Sequence, residues 1–234
     1  MARGKFMLTL AALAFLMGCK PATPPNPEEF KHMPVFYLTG NKGDNVIIRY
    51  SDNKGAVSEV ATSNAYSDLS NKCFYNTQAS QGCSKRYPFT SVMGHSMMQT
   101  AQSAFEATNS LAFLIAQTDY EISHGKKFPR VEDVNKSTSN TNPTSIIILV
   151  YPIGRLRGQE PFLIWDLDND GKADVVKGGI GENVYAPCYF APGYLGGCGG
   201  MQYNAIPMTD PVRGIASISL SKGIELAKML GMRP

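Results

Sequence analysis

A nine-residue acidic segment, residues 166–174 with the sequence DLDNDGKAD, limits the local structures that this chain can form. Two segments typical of β-strands flank it: Phe162-Leu-Ile-Trp165 precedes it, and Ala173-Asp-Val-Val176 overlaps its last two residues. Four carboxylates so close in sequence repel one another unless something neutralises them. Gly171 permits a sharp turn within the segment. The pattern therefore predicts a strand–loop–strand unit whose loop gathers the carboxylates in one place.

The spacing of these carboxylates predicts a calcium site. Aspartates occupy relative positions 1, 3, 5 and 9, a glycine occupies position 6, and the backbone carbonyl of a lysine falls at position 7. Calcium takes about six to eight hard oxygen ligands, and alternate side chains of such a loop surround one ion. The alternative is a metal-free turn rich in Asp, Asn and Gly. The predicted ligands are Asp166, Asp168, Asp170, Lys172 (through its carbonyl) and Asp174.

The same segment resembles the calcium loops of EF-hands, dockerins, thrombospondin-type repeats and integrin-like propeller repeats. It departs from the EF-hand at position 12, where Lys177 stands in place of the bidentate glutamate. The resemblance, with strands on both sides, implies a structural calcium site in which Asp174 supplies the late carboxylate. A single copy of the motif argues against a propeller, since a ring needs several blades.

The remaining pattern predicts an α+β fold: a mainly antiparallel sheet with one long central helix, a C-terminal helix and local disulfides. Residues 62–90 are rich in Ser, Asn and Gln and are expected to be mostly loop, and no internal repeat is evident. Ser219 or Ser221 is expected to cap the closing helix, which runs through Leu230 and stops at Gly231. The other expected elements are strands at 35–39, 46–50, 56–61 and 145–151 and a helix at 96–117.

The chain begins with a short basic stretch, an apolar run from Phe6 to Met17 and then Gly18-Cys19, which is the pattern of an export signal. Leu16-Met-Gly-Cys19 resembles the lipobox of bacterial lipoproteins, which implies that Cys19 is lipidated and becomes the new N-terminus. Prolines after Cys19 favour an extended spacer. The expected organisation is a signal peptide at 1–18, a lipidated cysteine and tether at 19–33, and one globular domain at 34–234. Lys20 favours the outer membrane by analogy with lipoprotein sorting.

Four further cysteines are expected to form disulfides, since an even number in an exported chain suggests them. Three connectivities are possible. The equal separation of ten residues within Cys73/Cys83 and within Cys188/Cys198 favours the two local pairs. A metal site is the alternative, but the chain has no C-x-x-C spacing and no histidine near either pair.

The charge pattern argues against nucleic acid as a partner. Without the leader the chain has 20 basic and 19 acidic side chains and no basic run. Aromatic residues surround the second cysteine pair and the glycine-rich segment 196–200, where they either form a binding surface for a protein or glycan or simply cover the sheet. These aromatic residues are Tyr185, Tyr189, Phe190, Tyr194 and Tyr203.

A complete catalytic set is not found in the sequence. Met93-Gly-His-Ser-Met-Met98 resembles the nucleophile elbow of α/β-hydrolases, but its final glycine is missing and no histidine follows His124. Ser96 as a helix cap is the favoured alternative. The preferred hypothesis is therefore a membrane-anchored binding or assembly component of the cell envelope or surface with a structural calcium ion. The other hypothesis is a calcium-dependent extracytoplasmic hydrolase of a polymer or an ester.

Overall fold

The computed structural model describes residues 23–31, 35–39, 44–50, 56–63, 70–75, 83–88, 92–128, 144–150, 162–178, 187–194, 198 and 205–231. The predicted signal peptide and Cys19 lie outside these residues, as do Tyr185 and Tyr203. Cys73 and Cys83 lie on strands, but their side chains are not among those that the structure describes. The disulfide between them therefore stays a prediction.

Within the described residues, ten strands form a single sheet, and one short and two long helices accompany it. The helices are α1 (Pro27–Phe30), α2 (Val92–Ser123) and α3 (Asp210–Met229). The strands are β1 (Val35–Thr39), β2 (Asp44–Tyr50), β3 (Val57–Ser63), β4 (Ser70–Tyr75), β5 (Cys83–Pro88), β6 (Thr144–Val150), β7 (Phe162–Asp166), β8 (Val175–Lys177), β9 (Cys188–Phe190) and β10 (Ala205–Pro207).

The order across the sheet is β10-β9-β8-β7-β6-β1-β2-β3-β4-β5. All neighbours are antiparallel except β4–β5 and β9–β10. The predicted α+β class with a mainly antiparallel sheet, a long helix and a C-terminal helix is confirmed. None of the described helices is both long enough and apolar enough to cross a bilayer.

Three local predictions need correction. The expected loop at 62–90 contains β4 and β5, because sheet partners provide the hydrogen bonds that order a polar segment. Helix α3 begins at Asp210 with a proline at its first turn, so Ser219 and Ser221 lie inside the helix and do not cap it. Its end is as expected, since Gly231 follows the helix with a φ of 74°. Helix α2 begins at Val92, which places Ser96 inside that helix too.

The core lies between α2, α3 and one face of the sheet. Each large apolar side chain buried there contributes about 1.5–3 kcal/mol relative to exposure. Phe30 of α1 packs on Phe113 of α2, with ring centroids 5.6 Å apart. The largest fully buried side chains are Tyr37, Met97, Phe105, Leu111, Ile164, Leu220 and Leu226.

The opposite face of the sheet carries a second, smaller apolar cluster beside the acidic segment. Side chains alternate between the faces of a strand, so Val176 faces the helices while Val175 faces the small cluster. The cluster contains the disulfide between Cys188 and Cys198, whose Cα atoms are 5.7 Å apart. The second predicted local disulfide pair is therefore confirmed.

Candidate metal centre

The acidic segment forms the tip of the hairpin between β7 and β8. Asp166 is the last residue of β7, and β8 begins at Val175, which pairs with Trp165. The amide of Asp174 donates to the carbonyl of Trp165 at 2.7 Å and closes the loop at its base. The predicted strand–loop–strand arrangement is confirmed.

The turn is built around the first carboxylate. The amides of Asp170 and Gly171 donate to the two carboxylate oxygens of Asp166, at 3.2 and 2.9 Å. Asn169 and Gly171 have φ angles of 60° and 85°, in the left-handed region that glycine and asparagine adopt most readily. The loop therefore wraps its backbone around one side chain, and Gly171 is required by the backbone conformation.

Three aspartates converge at this tip. Asp166, Asp168 and Asp174 each offer a carboxylate oxygen, and these oxygens all lie within 4.8 Å of one another. Asp166 is 3% exposed and Asp174 is fully buried, whereas Asp168 is exposed. Burying carboxylates together is costly unless cations or hydrogen bonds compensate them. These three residues form a group that can hold a metal ion.

Two of the predicted ligands are placed differently. Asp170 is exposed and does not belong to the group of three carboxylates. One of its carboxylate oxygens accepts the amide of Lys172 at 2.8 Å, and the other lies 3.6 Å from the Lys172 ammonium. Ligation by Asp170 and by the Lys172 carbonyl stays a prediction.

Helix α3 supplies two residues that the sequence analysis missed. The Nη2 of Arg213 donates to Asp174 Oδ1 at 2.8 Å, and its Nε donates to the carbonyl of Ala173 at 2.9 Å. The hydroxyl of Ser217 accepts the amide of Ala173 at 2.9 Å. Nothing in the local sequence marks these residues, since they lie about forty positions from the loop and only the packing of α3 brings them to it. The first turns of α3 thus fasten the loop.

The remaining polar atoms of Asp174 are also occupied. Its Oδ2 accepts the amide of Leu167 at 2.8 Å, and its backbone carbonyl accepts the amide of Ala191 at 2.7 Å. Asp174 therefore links the two ends of the loop to each other. It also links the loop to the segment after β9 and, through Arg213, to helix α3. This position has a structural role whether or not a metal is bound.

The electrostatics differ among the three aspartates. Burial raises the pKa of Asp166 and of Asp174 above the ordinary value, against the lowering effect of their amide hydrogen bonds. The pKa of Asp168 is lowered, chiefly because the hydroxyl of Tyr194 donates to its Oδ2 at 2.6 Å. The same hydrogen bond is the main cause that raises the pKa of Tyr194 to about 12. Positive charge at the loop therefore stabilises the ionised form of the two buried carboxylates.

For two of the five candidate aromatic residues the structure supports the alternative, that the rings cover the sheet. Tyr189 and Phe190 lie on β9 and are buried, because β9 is covered on both faces. The hydroxyl of Tyr189 hydrogen-bonds with Thr118 and donates to the carbonyl of Leu114 on α2. Tyr194, which is partly exposed, is the described member that reaches the acidic loop.

The two candidate residues of a nucleophile elbow lie within helix α2. His95 and Ser96 are exposed and sit on its first turns, not on a sharp turn between a strand and a helix. His124, beyond the other end of the helix, stacks on Tyr120 at 4.0 Å between ring centroids. This arrangement lacks the geometry that the elbow needs.

Comparisons with protein-family models, with curated proteins and with solved structures find no match to this chain. The class of protein is therefore described from its fold and its candidate metal centre alone. The chain is an α+β protein, and the described residues form a sheet of ten strands. One hairpin of this sheet carries a cluster of carboxylates, and an arginine on helix α3 binds one of them.

Proposed function

We propose that this chain is a lipid-anchored protein of the bacterial cell envelope that acts as a binding or assembly component and carries one structural calcium ion at the β7–β8 hairpin. The observation that carries the calcium proposal is the convergence of Asp166, Asp168 and Asp174 within 4.8 Å. The anchor and the location rest on the sequence of residues 1–33.

Calcium fits this group better than other divalent ions do. All three side chains offer oxygen, which calcium prefers, whereas a structural zinc site is built mainly from cysteine and histidine. Magnesium retains several waters and demands near-octahedral geometry, which a loop of hydrogen-bonded carboxylates does not favour. Three carboxylates and the Arg213 guanidinium leave two negative charges, which one divalent ion neutralises.

A structural role follows from where the site lies. The loop already connects β7, β8, the segment after β9 and α3 through Asp174 and its neighbours. An ion that binds only the folded loop stabilises the whole domain, by about 2.7 kcal/mol when its concentration is 100 times its dissociation constant. Export places the domain where calcium is plentiful and where the Cys188–Cys198 disulfide persists.

The calcium part is tested by titration calorimetry on the metal-free mature chain, with calcium and magnesium in separate experiments. Asp168→Asn is the variant of choice, because Asp168 is exposed and its loss disturbs the fold least. Asp210→Asn is the matched control, since Asp210 is an exposed aspartate in the first turn of α3. We expect calcium binding by the native chain and the control, and at least tenfold weaker binding by Asp168→Asn. A native chain that binds no calcium contradicts the proposal.

The anchor and the partner need a second experiment. The full chain and Cys19→Ser are compared by intact mass and by membrane fractionation, and we expect lipid mass and membrane association only with Cys19. Crosslinking and affinity capture from envelopes, with and without a calcium chelator, then test the binding role. We expect recovery of the partner to fall when calcium is removed, because the ion stabilises the domain; recovery of no specific partner contradicts the binding role.

A further inference from the structure

The strand arrangement is the same on the two sides of the sheet centre. From β1 outward, β1, β2, β3 and β4 are mutually antiparallel neighbours and β5 is parallel to β4. From β6 outward, β6, β7, β8 and β9 are antiparallel and β10 is parallel to β9. A long helix then follows in each case, α2 after β5 and α3 after β10.

We infer that the chain consists of two copies of one unit, residues 35–123 and 144–231, related by a pseudo-twofold axis. We further infer that residues 50–58 are the sequence counterpart of the metal loop, residues 166–174, and have too few carboxylates to bind a divalent cation. The second statement rests on the proposed calcium site, whereas the first does not.

The strand registers support the equivalence residue by residue. Ile48 pairs with Val60 across β2–β3, and Ile164 pairs with Val176 across β7–β8. Adding 116 to the two residue numbers of the first pair gives the two residue numbers of the second pair. The same shift relates all three pairs of β7–β8 to pairs of β2–β3, up to the register shift that follows Arg49 at the loop end of β2.

The outer pairs extend the same correspondence. The partner of Val60 on β4 is Phe74, and the partner of Val176 on β9 is Tyr189. The segments Cys73-Phe-Tyr75 and Cys188-Tyr-Phe190 therefore occupy equivalent places, each with a cysteine followed by two aromatic residues.

The axis passes through the central strand pair. Tyr37 pairs with Val46 and Ile148 pairs with Phe162, and the shift of 116 positions relates those two partners. Tyr37 and Ile148 are therefore equivalent, and they also pair directly with each other across β1–β6. A residue that pairs with its own counterpart in an antiparallel ladder marks a twofold axis.

The two long helices repeat the relationship through their buried faces. A shift of 119 positions carries six buried positions of α2 onto five buried positions of α3 and its buried C-cap residue. On α2 these are Met97, Thr100, Ala101, Ala104, Thr108 and Leu111. Their counterparts are Ala216, Ser219, Leu220, Gly223 and Ala227 on α3 and the C-cap residue Leu230.

The contacts between the helices agree with a twofold axis. Thr108 Oγ1 lies 2.6 Å from Ser219 Oγ, and Thr100 Oγ1 donates to Glu225 at 3.2 Å. The later residue of α2 thus meets the earlier residue of α3, so the helices run in opposite directions. Helices related by a twofold axis perpendicular to their length show this order.

Each helix also fastens the hairpin of its own unit. The side-chain oxygen of Gln102 on α2 accepts the amide of Val57 at 2.7 Å. The hydroxyl of Ser217 on α3 accepts the amide of Ala173 at 2.9 Å. Val57 and Ala173 differ by the same 116 positions, so the donor amides correspond, whereas the acceptors lie one helical turn apart, because the shift of 119 positions carries Gln102 onto Ser221.

The hairpin sequences show why only one of them suits a cation. Residues 50–58 read YSDNKGAVS and residues 166–174 read DLDNDGKAD, with equal length and with Asp, Asn and Gly in register at three central positions. The aspartates at 166, 170 and 174 are replaced by Tyr50, Lys54 and Ser58. The first unit thus has a single carboxylate in this segment beside a lysine, which is too little negative charge for a calcium ion.

The test restores the missing carboxylates. Tyr50→Asp, Lys54→Asp and Ser58→Asp are combined in one variant, with Tyr50→Asn, Lys54→Asn and Ser58→Asn as the matched control. Calorimetric titration of the metal-free mature chains with calcium measures the number of ions bound. We expect one ion for the native chain, two for the aspartate variant and one for the asparagine control.

The outcomes separate the two proposals. One ion bound by a folded aspartate variant overturns the equivalence of the hairpins, whereas no ion bound by the native chain overturns the proposed function. A crystal structure of the native mature chain tests the repeat without metal or mutation. We expect the strands and helix of the first unit to superpose on those of the second by a rotation of about 180°. Strands or helices that fail to superpose overturn the repeat. This test does not depend on whether the aspartate variant folds.

Discussion

Replacing Arg213 by methionine separates the structural and the metal-binding roles of the loop. Arg213 donates to Asp174 Oδ1 at 2.8 Å, and Asp174 is fully buried while the Arg213 side chain is 28% exposed. Arg213→Met keeps most of the apolar stem and removes the guanidinium. In the metal-free protein, Asp174 then keeps its amide bond from Leu167 but loses its cationic partner.

The expected loss can be worked from this geometry. Opposite charges about 4 Å apart attract by about 4 kcal/mol at an effective dielectric constant of about 20. The partial exposure of Arg213 weakens that attraction, so we expect a loss of about 2–3 kcal/mol in unfolding free energy without metal. A calcium ion takes over the role of the cation, and the loss then falls to about 1 kcal/mol. By linkage, Arg213→Met binds calcium about 5- to 30-fold more tightly than the native chain.

The assay combines urea unfolding, with and without calcium, and calorimetric titration. Lys222→Met is the matched control on the same helix, since it removes an exposed ion pair with Glu225 and is expected to cost at most about 1 kcal/mol. Its calcium affinity should equal that of the native chain. Unchanged or weaker calcium binding by a folded Arg213→Met variant would refute the idea that the guanidinium and the ion compete for Asp174.

Three further predictions follow from single features of the structure. Gly171→Ala forces an alanine to a φ of 85° and should lower the unfolding free energy by about 1–2 kcal/mol. Gly214→Ala, on the exposed face of α3, should raise it by about 0.5–1 kcal/mol, and chemical denaturation of both variants measures the contrast. Tyr37→Phe removes a buried hydroxyl that donates to an α2 carbonyl at 3.1 Å, so its unfolding free energy should fall by about 1–2 kcal/mol in the same assay. In the metal-free protein, the raised pKa values of Asp166 and Asp174 give a contribution to stability that is present below their unfolded value and is lost as pH rises through the folded value. Calcium needs the ionised carboxylates, so the calcium-induced rise in melting temperature should grow from about pH 4 to neutrality; an equal rise at both pH values would contradict this reasoning.

Local patterns predicted the elements whose structure depends on near neighbours. The β7–β8 hairpin could be predicted because Asn169 and Gly171 favour the turn and the apolar strands flank it directly. Helix α2 could be predicted from its periodicity, although it extends beyond both predicted ends. Strands β9 and β10 were missed, since three-residue strands carry almost no pattern of their own and form because neighbouring strands bond them.

The sequence by itself determined the acidic loop, the cysteine spacing and most of the order of strands and helices, since each of these depends on local residue patterns. Only the tertiary structure decided that Asp174 pairs with Arg213, that Tyr189 is buried, and that the chain pairs Tyr37 with Ile148 at its centre. Those facts depend on which distant segments pack together. The free energy of packing is shared among many side chains, and no single stretch of sequence records it.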